Sequence, residues 1–152
     1  MKNKQLINML EKLINYNFKI AGKLLIDKNN KVNYRVIDQE FKSQNQEQVY
    51  AWISDEKVLY IGMASKGIQK RLSEHRGGWR GGSSTGILKE AQIRKKLEEG
   101  HQIYIYGRTC DYFLQEVKIL DKRQKCRFSL VEQEEGALIK EFKPLWNTVG
   151  VK

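Results

Sequence analysis

Glu135 is the residue whose setting most demands an explanation. Residues 129–142 read as a helix stopped by Pro144, the only proline in the chain. Within it Val131, Leu138, Ile139 and Phe142 share one apolar stripe at the 3.6-residue period, and Glu135 lies in the middle of that stripe. Glu132, Glu134 and Glu141 fall outside it. An unpaired carboxylate taken out of water costs several kcal/mol, so Glu135 calls for a cation or a hydrogen-bonded partner. On this helix alone a metal ion and a structural arginine answer that demand equally well. A single carboxylate completed by water and phosphate oxygens suits Mg2+.

Arg71 and His75 stand four apart in Lys70-Arg71-Leu72-Ser73-Glu74-His75, so on a helix they stack on one face beside Ile68 and Leu72. A guanidinium there can grip a phosphate whose charge is rising. An imidazole can orient phosphate or water, or shuttle a proton. An ordinary surface basic pair has the same spacing. Tyr50 and Tyr60 occupy corresponding positions of two short strands, where aromatics commonly serve as cross-strand packing. As a base a tyrosine needs help, since a free phenol with pKa ~10 is only ~1% ionised at pH 8. Arg71, a metal, Lys66 or Lys70 would favour the phenolate, and a lysine is the alternative base. Asn147, three residues past Pro144, suits a turn or cap by residue type. His101 has no comparable context and is expected to be structural.

These elements follow one another in a recognisable order. The strand pair Val49-Tyr50-Ala51-Trp52 and Leu59-Tyr60-Ile61-Gly62, Arg71 eleven residues past Tyr60, His75 four further on, and Glu135 followed by Pro144-Leu145-Trp146-Asn147 resemble the successive motifs of the GIY-YIG nuclease family. The resemblance runs from Val49 to Asn147. It implies an α+β fold with a small central antiparallel three-stranded sheet flanked by helices. It also implies a DNA endonuclease that hydrolyses phosphodiester bonds with one Mg2+, for which Mn2+ can substitute. In that scheme Glu135 is the metal ligand, Tyr50 the general base and Tyr60 its positioning neighbour. Arg71 and His75 meet the phosphate, and Asn147 organises the site by hydrogen bonding. Tyr106-Gly107-Arg108-Thr109-Cys110 and the Pro-x-Trp-Asn ending look like the restriction-enzyme and phage endonuclease II branch, and so point to a site-specific type II or phage-type enzyme. Two departures stand out. Gln48 and Val49 replace the usual Gly-Ile, and one extra residue lies around Lys66-Gly67, where Gly67 can absorb it as a helix-start turn.

The elements that must hold these residues can be placed by pattern. Leu6, Ile7, Leu10, Leu13 and Ile14 predict an amphipathic helix over residues 4–16. Phe18–Ile26 and Val32–Phe41 predict a hairpin about Asp27-Lys28-Asn29-Asn30-Lys31. Lys42–Gln48 reads as a connector. Val49–Ile53 and Val58–Ile61 predict a second hairpin, and Ile68–Arg76 a helix ended by glycines. Gly77–Ser84 looks too glycine-rich for regular structure. Ile87 to Leu97 predicts a helix ending at Gly100, and Ile103–Tyr106 a third strand of that half. Residues 111–127 are ambiguous, with an extra strand near Phe113–Leu120. The division expected is residues 1–47 as an N-terminal helix and β-hairpin extension, for recognition or dimer contacts, and 48–152 as the nuclease core.

The chain of 152 residues, 40% hydrophobic and 30% charged, suits one core. No apolar run approaches the ~20 residues of a membrane span, and no secretory signal is legible, so a cytoplasmic location is expected. Cys110 and Cys126, the two cysteines, are expected to be free thiols. Twenty-eight Lys and Arg against 18 acids give a net charge of +10. Such a surface attracts nucleic acid, acidic membrane or acidic protein alike. Residues 65–96 alone hold nine basic residues against Glu74 and Glu90. Lys66, Lys70, Arg76, Arg80, Lys89 and Arg94 from this run, with Lys122 and Arg123 from a second cluster, are the candidate contacts to double-stranded DNA. Because one site cuts one strand, a homodimer or higher homo-oligomer on DNA is expected. A non-catalytic binding module on the same fold and an RNA-directed nuclease are the alternatives.

Overall fold

The structure is a computed structural model that describes residues 2–147. The side chains of residues 2–8, including Leu6 and Ile7 of the expected stripe, lie outside the described residues. In chain order come helix α1 (Lys2–Asn15), strands β1 (Lys19–Ile26) and β2 (Val32–Val36), a 3-10 turn (Gln39–Lys42), and strands β3 (Gln48–Ser54) and β4 (Lys57–Ala64). Helices α2 (Ile68–Gly77) and α3 (Ser84–Glu98) follow, joined by a π-helical turn at Gly78–Gly82. Strands β5 (Ile103–Thr109), β6 (Tyr112–Ile119) and β7 (Lys122–Ser129) and helix α4 (Val131–Phe142) complete the order.

The main sheet has five strands, in the order β2-β1-β5-β3-β4, with every neighbour antiparallel. This corrects the expected three-stranded sheet. Strands β3, β4 and β5 are its inner part, and the β1–β2 hairpin continues it instead of standing apart. The reason lies in β5, whose outer edge would otherwise present a row of unpaired backbone groups. Lys19–Leu24 of β1 takes that edge in register with Ile103–Gly107, with a bulge between Ile20 and Gly22.

Strand β3 is buried at all of its positions, as a strand covered on both faces must be. Its alternation splits the core. Tyr50 and Trp52 pack with Ile68, Leu72 and Trp79 under α2 and with Ile93 of α3. Val49, Ala51 and Ile53 pack with Leu13 of α1 and with Val131, Leu138, Ile139 and Phe142 of α4. The molecule is therefore a helix–sheet–helix sandwich, and the sequence-derived apolar stripe of α4 is its inward face.

Two local departures from expectation, and one expected hairpin with an unusual turn, share one cause. The glycine-rich run Gly78–Gly82 is a helical turn kinked at Gly81, where φ is 105°, and buried Trp79 anchors it against Trp52 and His75. The ambiguous 111–127 segment is a full hairpin, β6 with β7. Its turn residues Leu120 and Asp121 both take left-handed φ, 51° and 66°, without the Asn-Gly signature such turns favour. Asp55 and Glu56 do the same between β3 and β4. In each case tertiary packing or pairing overrides local preference.

Candidate active site

The site forms where β4, an edge strand, passes between α2 on one face and α4 on the other. Gln48 fixes the start of this arrangement. It is fully buried, and its Oε1 accepts from the backbone N of Ile68 at 3.0 Å, capping the first turn of α2. Its Nε2 donates to the Glu40 carbonyl at 3.0 Å and to Thr109 Oγ1 at 3.2 Å. Glutamine at this position is therefore a brace joining β3, β5 and α2. Gly67 just before the helix has φ 93°, and a Cβ there would lie 2.1 Å from the Ser43 carbonyl oxygen, so only glycine can make the extra-residue turn.

α2 then brings Arg71 and His75 onto the Tyr50 side of the sheet. The Tyr50 hydroxyl lies 2.6 Å from His75 Nε2. Gly62 makes room for it, since a Cβ at that position would be 2.4 Å from the Tyr50 hydroxyl oxygen. Burial raises Tyr50 well above the ordinary tyrosine pKa, the nearby Tyr60 adds to this, and the Arg71 guanidinium opposes it. Tyr60, less enclosed, is raised by burial in the same way and again opposed by Arg71. His75 is pushed down to about 3 by burial and by the positive charges of Arg71 and Lys89, so it is a neutral imidazole at working pH. It sits against Trp52 and Trp79 at ring separations of 5.2 and 6.2 Å.

Glu135 reaches the same cleft from α4. A hollow of about 370 Å³ is walled by Tyr50, Tyr60, Gly62, Arg71, Glu74 and Glu135, with Lys66 and Lys70 at its side. Glu135 is half-buried, and no basic side chain among the described residues pairs with it. Burial raises its pKa, while the Met63 backbone amide and Arg71 pull it down. The structural arginine considered for Glu135 belongs instead to its neighbour. Glu134, expected to face away, pairs with Arg108 at 3.0 Å and accepts from the Asp111 amide at 2.8 Å. Among the described residues no cluster of three or more His, Cys, Asp or Glu side chains could enclose a metal. A cation in this cleft would rest on Glu135 alone, leaving its other positions to water and substrate oxygens, a pattern Mg2+ accepts.

Asn147 closes the edge of β4. Its Oδ1 accepts from the Ile61 amide at 2.9 Å and its Nδ2 donates to the Ile61 carbonyl at 2.8 Å. The Trp146 amide donates to the Leu59 carbonyl at 2.8 Å. The tail thus pairs with the strand that carries Tyr60 and Gly62.

The basic candidates separate into groups. Lys66 and Lys70 line the cleft. Lys89 is half-buried in an adjoining recess. Arg76, Arg80 and Arg94 tie the β1–β2 hairpin to the helices. Arg76 Nη1 donates to Asn33 Oδ1 at 3.2 Å, Arg80 Nη1 to the Val32 carbonyl at 2.7 Å, and Arg94 Nη2 to the Asn30 carbonyl at 2.9 Å. Lys122 and Arg123 stand exposed at the tip of the β6–β7 hairpin. His101 lies 2.7 Å from Asp55, away from the cleft. Both cysteines are free. Two further residues shape the site, Glu74 in the cleft and Gln48 buried behind it, and neither is a candidate from the sequence. Glu74, 3.7 Å from Arg71, could be found by its i,i+3 spacing. Gln48 had no legible signal, because its partners come from distant parts of the chain.

The fold and the cleft together define an α+β protein with a basic, tyrosine-walled cleft that carries one unpaired carboxylate. No family model matches the chain, and no curated protein matches it in sequence. Among solved structures it is similar to a mutant of bacteriophage T4 EndoII, at 24% identity and a TM-score of 0.72, over 91% of this chain and 98% of that one. It is also similar to the restriction endonuclease Hpy188I in complex with product DNA, at 19% identity and a TM-score of 0.51, over 82% of this chain and 73% of that one. The chain therefore has a fold found in nucleases. Among the described residues no helix is long and apolar enough to cross a membrane.

Proposed function

We propose that the chain is a GIY-YIG-type, Mg2+-dependent DNA endonuclease. The observation that carries this reading is the meeting of Tyr50, Arg71 and Glu135, from a strand and two helices far apart in sequence, around one cleft. The likeness to a phage and a restriction endonuclease supports it, and so does the latter's bound product DNA. Both favour a site-specific restriction-like or phage-type enzyme.

In this reading the scissile phosphate enters between Arg71 and Glu135. Arg71, whose charge the two phenols and Glu74 hold in place against burial, stabilises the oxyanion as negative charge builds up. A Mg2+ held by Glu135 would supply Lewis-acid stabilisation of the phosphoryl oxygens. The attacking water gives its proton to the Tyr50 oxygen, and Tyr50 passes its own to His75 Nε2, 2.6 Å away. A relay of this kind suits a phenol too buried to ionise beforehand, and the incoming phosphate offsets the positive charge that His75 acquires. The water oxygen bonds to phosphorus as the bond to the leaving sugar oxygen breaks, and that oxygen takes up a proton from solvent. Lys66 or Lys70 is the alternative base. One cleft cuts one strand, so double-strand cleavage takes at least two copies of the chain.

The test is plasmid DNA incubated with Mg2+ or with EDTA. Wild type should nick or cut only with Mg2+, and Glu135→Ala should lose cleavage while keeping low-salt binding. Undiminished cutting by Glu135→Ala would remove the metal assignment. An intact plasmid with wild type would leave only a binding module, and cleavage of RNA alone would change the substrate.

A further inference from the structure

Past Tyr60 the cleft continues into a second hollow of about 270 Å³, bounded on the far side by Lys89 and by the first turn of α3. Tyr60, Arg71 and Glu74 line both hollows, so the two form one track for a chain of charges. Lys89 is the unusual member. Its ammonium is half-buried, and among the described residues no carboxylate lies within 4 Å of it. Its only hydrogen-bonding partner among the described residues is the Trp146 carbonyl at 2.6 Å, and its nitrogen stands 4.7 Å from the centroid of the Tyr60 ring. A neutral carbonyl and an aromatic face use one of its three protons and leave its charge uncompensated. Burial lowers its pKa for the same reason. The one acid among the described residues that line the recess, Glu74, is already beside Arg71 at 3.7 Å. His75 next to it is neutral.

An apolar chain of equal length would pack over Tyr60 without desolvating a cation. A lysine here raises the cost of folding unless an anion arrives to meet it. The anion must be one that lies beside the group gripped by Arg71 and is joined to it along the shared track. We propose that Lys89 binds a backbone phosphate of the substrate strand, adjacent to the scissile phosphate and on the α3 side of it. This rests on the nuclease reading and gives it a direction, because the strand leaves the cleft past Tyr60 toward α3. Lys89 would also couple occupancy to geometry, since the same ammonium holds the tail residue next to Asn147.

The test separates a phosphate contact from a structural clamp. Binding of a fluorescein-labelled DNA duplex is titrated in EDTA, so that nothing is cut, at salt concentrations from 50 to 200 mM. Wild type, Lys89→Met and Lys89→Arg are compared. Each phosphate contacted contributes about 0.9 to the slope of log affinity against log salt. Lys89→Met should therefore lose about 0.9 from the slope, so that over this range its affinity falls about 3.5-fold less than that of wild type. Lys89→Arg should restore the slope. An unchanged slope in Lys89→Met would overturn the proposal, whatever happens to its melting temperature or cleavage rate. If Lys89→Met fails to fold, Lys89→Gln is read in the same way. The slope comparison needs no catalysis, so a wild type that binds without cutting would refute the nuclease reading alone.

Discussion

Asn147 allows the link between strand geometry and site to be measured in energy. Its side chain makes two hydrogen bonds to the backbone of Ile61, at 2.9 and 2.8 Å, on the open edge of β4. Ile61 is 1% exposed, so water cannot readily replace both partners when Asn147 is truncated. Each such bond contributes about 1 kcal/mol net, with a further penalty where a buried group is left unpaired. Asn147→Ala should therefore cost about 2 kcal/mol. For a domain of this size that corresponds to a fall of roughly 4–8 °C in Tm. The variant should also cleave more slowly, because Ile61 lies between Tyr60 and Gly62. Asn147→Asp sharpens the test. The new carboxyl keeps an acceptor for the Ile61 amide but sets an oxygen against the Ile61 carbonyl, which disfavours its ionised form. Its folded pKa then rises above the unfolded value of ~3.9. Between those two values the folded state binds more protons than the unfolded one, so stability falls as pH rises through the window. Near pH 4 the protonated acid can donate to the Ile61 carbonyl, and Asn147→Asp should approach wild type. Thermal unfolding followed by circular dichroism at pH 4 and pH 7 measures both effects. A loss below about 0.5 kcal/mol in Asn147→Ala, the level of an ordinary surface change, would refute the argument.

Two other perturbations bear on the Tyr50 side of the cleft. Gly62→Ala places a methyl 2.4 Å from the hydroxyl of a tyrosine that is fully buried and cannot retreat. Overpacking of this kind costs roughly 1–3 kcal/mol, and cleavage should be lost with it; wild-type Tm and activity would show that Tyr50 is not confined as described. His75→Gln addresses acid sensitivity. His75 stays neutral in the folded state down to about pH 3, whereas it takes up a proton near 6.5 when the chain unfolds. Its contribution is thus full above about pH 6.5 and declines as pH falls toward 3. His75→Gln should lose stability less steeply than wild type between pH 6.5 and 4.5, as read by urea unfolding, and an equal slope would contradict the burial argument.

What the sequence made legible follows from the range of the forces involved. The apolar stripe of α4 and the 3.6-residue pairing of Arg71 with His75 are local, and the structure places both as the period requires. The Asn147 tail and the two hairpins about β3–β4 and β1–β2 were also readable in outline. The five-stranded sheet was not, because the β1–β5 pairing joins residues 19–24 to 103–107 and leaves no trace in either segment. Gln48 illustrates the same point from the site's side. In the sequence it stands only as a departure from a motif, yet three partners make it a fully buried brace. The exchange of roles between Glu134 and its neighbour has the same origin. Periodicity puts Glu135 over the core and Glu134 outside it, but beside Glu134 stands the partly buried Arg108, delivered by β5. That arginine takes the carboxylate nearest to it. Among the described residues no basic side chain pairs with Glu135, so at the point where α4 overlooks the edge of the sheet it faces the cleft with only the Met63 amide and the more distant Arg71 to answer its charge.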